Sequence, residues 1–499
     1  MIDPIIGSDV GGTYALPPRI EAEVCVDILY SLDYAGRNPP THVLKEPQPP
    51  LTARLLMGEG RQRMGHIVNA DREYQLLQRR LDQNVTGAPE SPVFMKILKL
   101  MWSPEEAEIA RRLPLTPKPL DVLSRRLRMP EDQLCDKLTE MALRGVVNDM
   151  EIEGKRYFSL PPVAIGFFEW TFMRARDDMP MAELARLFDE YWRSDDRFAR
   201  AVFPGKTQLG RSLVYEEALP QGDHIEVLDW ERASHIVQSA SAVSVGMCQC
   251  RHMASHLGRV CEKPMQTCLT FNHAAEMMAK SGHAQLITTS EAMRILEKCK
   301  EAGLAQVADN VQRTVTYICN CCGCCCEMVQ AIKTFDIRKA IVSSNWIREV
   351  DLSKCRGCGK CAKVCPVDAI EIAEEGEGKQ KRRWAVCDDS LCLGCGVCYP
   401  ACKFGGIVMK PRAKRVFTPE TIFDRMMSMA IERGKLGNIA FDDPERLSYR
   451  ALGRVMNILV KSPPFKAAMA IEPLRSNFLK TVVKTAKRGT PEAVVKQIC

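Results

Sequence analysis

The chain has little of what a nucleotide enzyme, a secreted protein or a membrane protein needs. Aromatic residues are sparse, at 6%. No long low-complexity tract appears, and no apolar stretch is long enough to cross a bilayer. The nearest candidate, around Val163 to Trp170, is short and follows two prolines. The opening MIDPIIGSDVGG has neither a basic start nor a sustained apolar core, so it does not read as a secretory leader. No nucleotide-binding fingerprint, phosphate loop or catalytic triad stands out, which leaves no basis for a flavin or nicotinamide site.

Cysteine is present in excess. There are 23 in 499 residues, and 18 candidate metal ligands lie between Cys248 and Cys402. Disulfide-dense proteins are usually small and secreted, and this chain reads as neither. Its cysteines come in tight CxxC steps, the spacing of metal ligands. The expectation is bound metal in a reducing, cytoplasmic compartment.

Net charge is +7 but uneven. From Lys403 to Cys499 there are 19 Lys+Arg against 8 Asp+Glu, and the remainder is slightly acidic. Such a basic tail offers a surface to an acidic partner protein, a nucleic acid or an anionic membrane, or is simply a solvated helix face.

The pattern predicts an α+β, multidomain chain. Residues 1–90 read as an N-terminal arm with a short helix over 72–81. Residues 91–165 read as a winged-helix-like module: VFMKILKLMW, then a helix over 119–129, a third over 130–147, and a β-hairpin turning at Glu153-Gly154. The third helix carries Glu131, Asp132, Asp136 and Glu140 against Lys137 and Arg144, a balance that phosphates repel, so DNA is not the expected partner. Residues 166–245 read as a helical connector, with WERASHIVQSA a helix and SAVSVG a buried strand at its end. A cysteine-rich α/β region, read as a cluster-binding domain from its thiols, spans 246–345 and includes a helix over 289–305 and a strand at TVTYI. Residues 346–412 hold two further cysteine runs, and 413–499 a basic helical tail. Two tail helices are predicted, one capped by Thr418 and one starting at Asp443-Pro444, with Leu447, Ala451, Val455 and Leu459 as packing surface.

The strongest chemistry is in two runs. KCRGCGKCAKVCP carries Cys355, Cys358, Cys361 and Cys365; LCLGCGVCYPACK carries Cys392, Cys395, Cys398 and Cys402. Both are C-x2-C-x2-C-x3-C. Three thiolates at CxxC steps can hold three corners of an iron–sulfur cube, and the x3 step turns the fourth away. Residues 345–412 closely resemble the bacterial two-cluster ferredoxin family. That resemblance implies one 4Fe–4S cluster on Cys355, Cys358, Cys361 and Cys402, and another on Cys392, Cys395, Cys398 and Cys365. Lys403 stands where the first run has Pro366, and EEGEGKQKRR lengthens the turn between the runs. Cys387 reads as a spare cysteine. Zinc is the competing ligand chemistry, but two intact three-plus-one runs fit it poorly.

A second field holds Cys248, Cys250, Cys261, Cys268, Cys319, Cys321, Cys322, Cys324, Cys325 and Cys326. Crowded free thiolates repel one another and oxidise, and metal removes both problems. At least one further iron–sulfur cluster is expected here, and spacing does not say which cysteines share it. A strand ends at each half of the field, so both halves could meet at one end of a sheet. The CCG tripeptide resembles heterodisulfide-reductase-like subunits, and the whole combination is similar to multidomain iron–sulfur proteins of anaerobic bacteria. Arg251 and Lys263 are candidates to donate to cluster sulfurs. His252, His256 and His273 read as ordinary histidines, and Cys25, Cys135, Cys299 and Cys499 as structural or incidental.

The expected function is an electron-transfer protein, or oxidoreductase component, passing single low-potential electrons to a partner. The alternative is a catalytic reductase subunit with a substrate-accessible cluster in 248–326. A redox regulator acting through the winged helix is the third possibility, and the acidic third helix opposes it.

Overall fold

Ser91 and Ser103 each precede a proline, and each starts a helix. In the computed structural model, which describes residues 71–220, 227–376, 382–470, 477–484, 492, 494 and 495, the Ser91 hydroxyl accepts from the backbone of Val93 and Phe94. Ser103 forms a reciprocal capping box with Glu106. The helices Pro92–Met101 and Pro104–Arg112 follow. The second was not expected, although S-P-E-E carries the capping-box signature. Most of the N-terminal arm, with Cys25, lies outside the described residues, as does Cys499; the arm's short helix forms as Arg72–Asp82.

Strand β1 (Lys118–Pro119), helices Leu120–Leu127 and Glu131–Leu143, and strands β2 (Asn148–Ile152) and β3 (Lys155–Ser159) come next. They build an antiparallel sheet in the order β1-β3-β2. The two-residue turn between β2 and β3 has Glu153 and Gly154 at positive φ, 53° and 72°, the backbone a tight hairpin requires. Glu131, Asp132, Asp136 and Glu140 are all exposed. Behind this module the aromatic rings of Phe94, Tyr191, Phe168, Phe188, Trp192 and Phe198 stack into a common core.

The remaining strands are β4 (Gly210–Ser212), β5 (Val243–Met247), β6 (Gln266–Phe271), β7 (Gln285–Ile287), β8 (Ala305–Asp309), β9 (Tyr317–Cys321), β10 (Ile341–Val342), β11 (Trp346–Val350), β12 (Ile370–Glu375), β13 (Arg382–Cys387) and β14 (Ile407–Pro411). Seven of them form one sheet in the order β10-β4-β8-β9-β6-β5-β7. Every pairing is antiparallel except β10 with β4. β4 arises within the stretch expected to be a helical connector, and β8 was also missed. β9 begins at Tyr317 rather than Thr314, so Cys319 and Cys321 lie on the strand itself. Separate two-stranded ladders, β11-β14 and β12-β13, flank the two ferredoxin-like runs.

The C-terminal helices start later than the sequence implies. Thr421, not Thr418, caps Ile422–Glu432, through a capping box with Asp424. The next long helix is Leu447–Lys461, beginning after Arg446 rather than at Asp443. Its expected packing stripe faces outward instead: Leu447 is 73% exposed and Leu459 55%. Gly453, lying against Gly437, and Val460 are its buried residues.

Several tail cations are used internally. The Arg425 guanidinium pairs with the buried Asp309 carboxylate on β8. Lys435 donates to the carbonyls of Asp82 and Asn84, and burial pushes its ammonium down to about 8. Asp442 is a hub: its carboxylate, 6% exposed, pairs with the buried Arg80 and accepts from Leu115 N, Thr116 N and Thr116 Oγ1. Removing one partner of a buried pair strands the other charge. Asp442→Ala is therefore expected to cost about 3–5 kcal/mol, read as a lowered urea midpoint; an unchanged midpoint would mean that the hub contributes nothing to stability.

Candidate metal centres

The two ferredoxin-like runs fold onto each other through paired ladders and tight glycine turns. Gly394 has φ of +67°, and a Cβ there would sit 2.1 Å from the Trp346 carbonyl oxygen. The loop after Cys392 can thus hug β11 only as glycine. The x3 cysteine of each run receives the same local support: Ala369 N donates to Cys365 Sγ and Gly406 N to Cys402 Sγ, each at 3.3 Å. Such N–H···S bonds favour the thiolate. A pocket between the runs is lined by Cys355, Cys358, Cys361 and Cys402, together with Arg356 to Lys360, Phe404 and Ile407. Cys395 and Cys398 are buried, and burial pushes the Cys398 thiol up to about 12. Cys358 is exposed. Cys387 is half-buried at the end of β13, packed among Ile370, Ala385 and Cys398.

Residues 354–406 match the family model of the 4Fe-4S dicluster domain. The matched segment is an iron–sulfur dicluster domain, and four-iron clusters are its cofactors. It covers a minority of the chain. No curated protein and no solved structure matches. No helix among the described residues is long and apolar enough to cross a membrane.

The second cysteine field converges on one end of the large sheet. β5 runs into Cys248. β6 is antiparallel to β5 and places Cys268 opposite Gly246. β9 is antiparallel to β6, pairing Ile318 with Leu269, and so carries Cys319 and Cys321 toward the same end. The sequence halves, some 50 residues apart, are joined by strand register.

Within the field the thiols fall into two sets. Cys261, Cys322, Cys324 and Cys325 have all their Sγ atoms within 4.8 Å of one another. Cys261 Sγ lies 3.8 Å from both Cys322 Sγ and Cys325 Sγ, and Cys324 Sγ lies 3.7 Å from Cys325 Sγ. Such separations suit one tetrahedral ion about 2.3 Å from each sulfur; a cubane requires the 322–326 turn to open. The hydrogen bond from Cys325 pulls the Cys322 thiol down to about 3. Cys324 is exposed. Cys299 lies buried beside Cys322 and Cys325 without joining the group, and burial pushes its thiol up to about 12.

The other six thiols alternate. Hydrogen bonds from neighbouring sulfurs hold those of Cys248, Cys319 and Cys326 down and push those of Cys250, Cys268 and Cys321 up. Metal binding would release the retained protons.

Arg251 lies between the two sets. It is fully buried, donates to the Asn320 carbonyl at 3.0 Å and to Thr267 Oγ1, and contacts Cys322 while attracting Cys248 and Cys321. Lys263, two residues after Cys261, has an exposed ammonium that donates to the Ala302 carbonyl, where helix Thr289–Glu301 ends. His252 is engaged with the Phe172 carbonyl at 2.8 Å and stacks near His256. Cys135 accepts from Arg156, well removed in sequence from both sets.

Three supporting residues were missed from sequence. Asn320 and Thr267 hold Arg251. Glu327 follows the CCC run, and its N–H points at Cys250 Sγ, 3.5 Å away. Its buried carboxyl, bonded by Arg193, is pushed up to about 7 by burial. Only the position of Asn320 and Glu327 within the cysteine run could have flagged them.

Proposed function

We propose that the chain is a cytoplasmic iron–sulfur electron-transfer protein that relays single low-potential electrons through a row of centres to a partner oxidoreductase. One cluster takes Cys355, Cys358, Cys361 and Cys402; the other takes Cys392, Cys395, Cys398 and Cys365. Saturated cubes have no open iron site, so they accept and release electrons and do nothing else.

The observation that carries a row, rather than separate sites, is the seam between the two cysteine regions. A Cβ on Gly323 would lie 2.8 Å from the Pro366 carbonyl oxygen. Gly323 is flanked by Cys322 and Cys324, and Pro366 follows Cys365, so backbone beside a proposed ligand of the second cluster abuts backbone of the four-thiol group. Lys333 clamps the seam by donating to Gly323 O and pairing with Asp368 at 2.6 Å. Tyr215 N donates to Cys395 O at 3.0 Å. Iron fits the four-thiol group in this reading, because redox-inert zinc would end the row there.

Gly323→Ala should force the seam apart, cost about 1–3 kcal/mol as overpacking, and slow electron exchange between the dicluster and the 248–326 field. Rapid-freeze spectroscopy after a reductant pulse reads this. Equal filling rates in variant and parent would remove the seam from the path.

The exposed Cys324 favours a second reading, in which the four-thiol group meets substrate. Candidate substrates would then perturb its paramagnetic signal, and spectral silence would count against it. The winged-helix-like module, with its exposed acidic third helix, and the basic tail serve in this proposal as docking surfaces for protein partners.

A further inference from the structure

Ten thiols in residues 248–326 exceed the needs of one cubane, and the fold divides them. Four form the compact group of Cys261, Cys322, Cys324 and Cys325. The other six, Cys248, Cys250, Cys268, Cys319, Cys321 and Cys326, are gathered by β5, β6, β9 and the two helix N-termini beside them. Resting on the iron–sulfur reading above, we propose that these six thiols together hold one further polynuclear iron–sulfur centre, separate from the four-thiol group and bound by more thiolates than a cubane uses.

Convergence is the first argument. The end of β5, the helix Gln249–His256, the start of β6, the end of β9 and the N-cap of helix Glu327–Phe335 each deliver a sulfur to one place. Incidental cysteines such as Cys135 and Cys299 do not gather in this way.

The second argument is electrostatic. Two helix N-termini, of 8 and 9 residues, lie at these thiols: Cys248 is the N-cap of one and Cys326 of the other, and Glu327 N points at Cys250 Sγ, 3.5 Å away. The Arg251 guanidinium adds a buried cation, and its Nε has no hydrogen-bond partner, leaving a donor for a bound sulfide. One guanidinium and two helix ends cannot balance six thiolates, so all six ionise only where metal cations supply the rest.

Coordination count is the third. One tetrahedral ion takes four thiolates and would strand two thiols beside it. A centre with several irons can use all six, some of them as bridges.

The test is the anaerobically isolated full chain with each of the six changed singly to serine, for example Cys268→Ser and Cys319→Ser. Every variant should lose the same spectroscopic signal and the same increment of iron, while the dicluster signal persists and reports an intact fold. If any two of the six can be replaced without loss, a cubane with spare thiols is the answer and the proposal fails. The parent protein gives a check that needs no variant. Its iron should exceed what the dicluster and the four-thiol group hold, and iron that stops at that sum, or zinc in the surplus, overturns the proposal. Iron missing from the whole chain would instead sink the broader iron–sulfur reading.

Discussion

Replacing Cys402 with alanine is expected to empty the cluster of the first run, although Cys402 belongs to the second. The variant should lose about four irons and give the spectrum of Cys358→Ala, not that of Cys392→Ala. The reason is geometric. The x3 step carries the fourth thiolate of each run away from its own cube, and the pocket lined by Cys355, Cys358 and Cys361 is closed by Cys402. The converse holds for Cys365→Ala, which should match Cys392→Ala. If Cys402→Ala instead reproduced Cys392→Ala, each run would bind its own cluster and the interleaved arrangement would be wrong. Anaerobic iron counting and low-temperature paramagnetic resonance on the four variants decide it.

Arg251→Met is expected to have the largest effect outside the ligands. The guanidinium is fully buried between the two thiol sets, and its bonds to Asn320 O and Thr267 tie β9 to β6. Removing it takes a cation from beside thiolates, so centres in the 248–326 field become harder to reduce and their potentials move downward. It also leaves buried acceptors unmet, at about 1–3 kcal/mol each. Arg251→Lys should restore part of the potential but not the forked bonding. Redox titration of the field, with the dicluster as an internal reference, separates the roles: equal potentials in all three proteins would make Arg251 a packing residue only.

What could be read from the sequence depended on range. Contacts within a few residues were legible: the CxxC steps, the hairpin at Glu153-Gly154, the helix after Ser91. So was the meeting of both cysteine halves at one sheet end, because strands were visible ahead of Cys248 and Cys319. The partition of those thiols was not legible, since it depends on the register of β5, β6 and β9 and on a turn that sends Cys322, Cys324 and Cys325 one way and Cys326 the other. Gly323 against Pro366 and Asp442 against Arg80 were invisible for the same reason. The stripe Leu447, Val455 and Leu459 had the correct period and the wrong partner: a glycine–glycine contact between Gly453 and Gly437 set the buried face instead.

The most direct measurement is an oxygen-free preparation of the whole chain with iron, acid-labile sulfide and zinc counted per polypeptide. The account predicts brown protein with about eight irons and matching sulfide from the dicluster, plus a surplus belonging to the 248–326 field. Colourless protein without iron, or zinc throughout in its place, would contradict it.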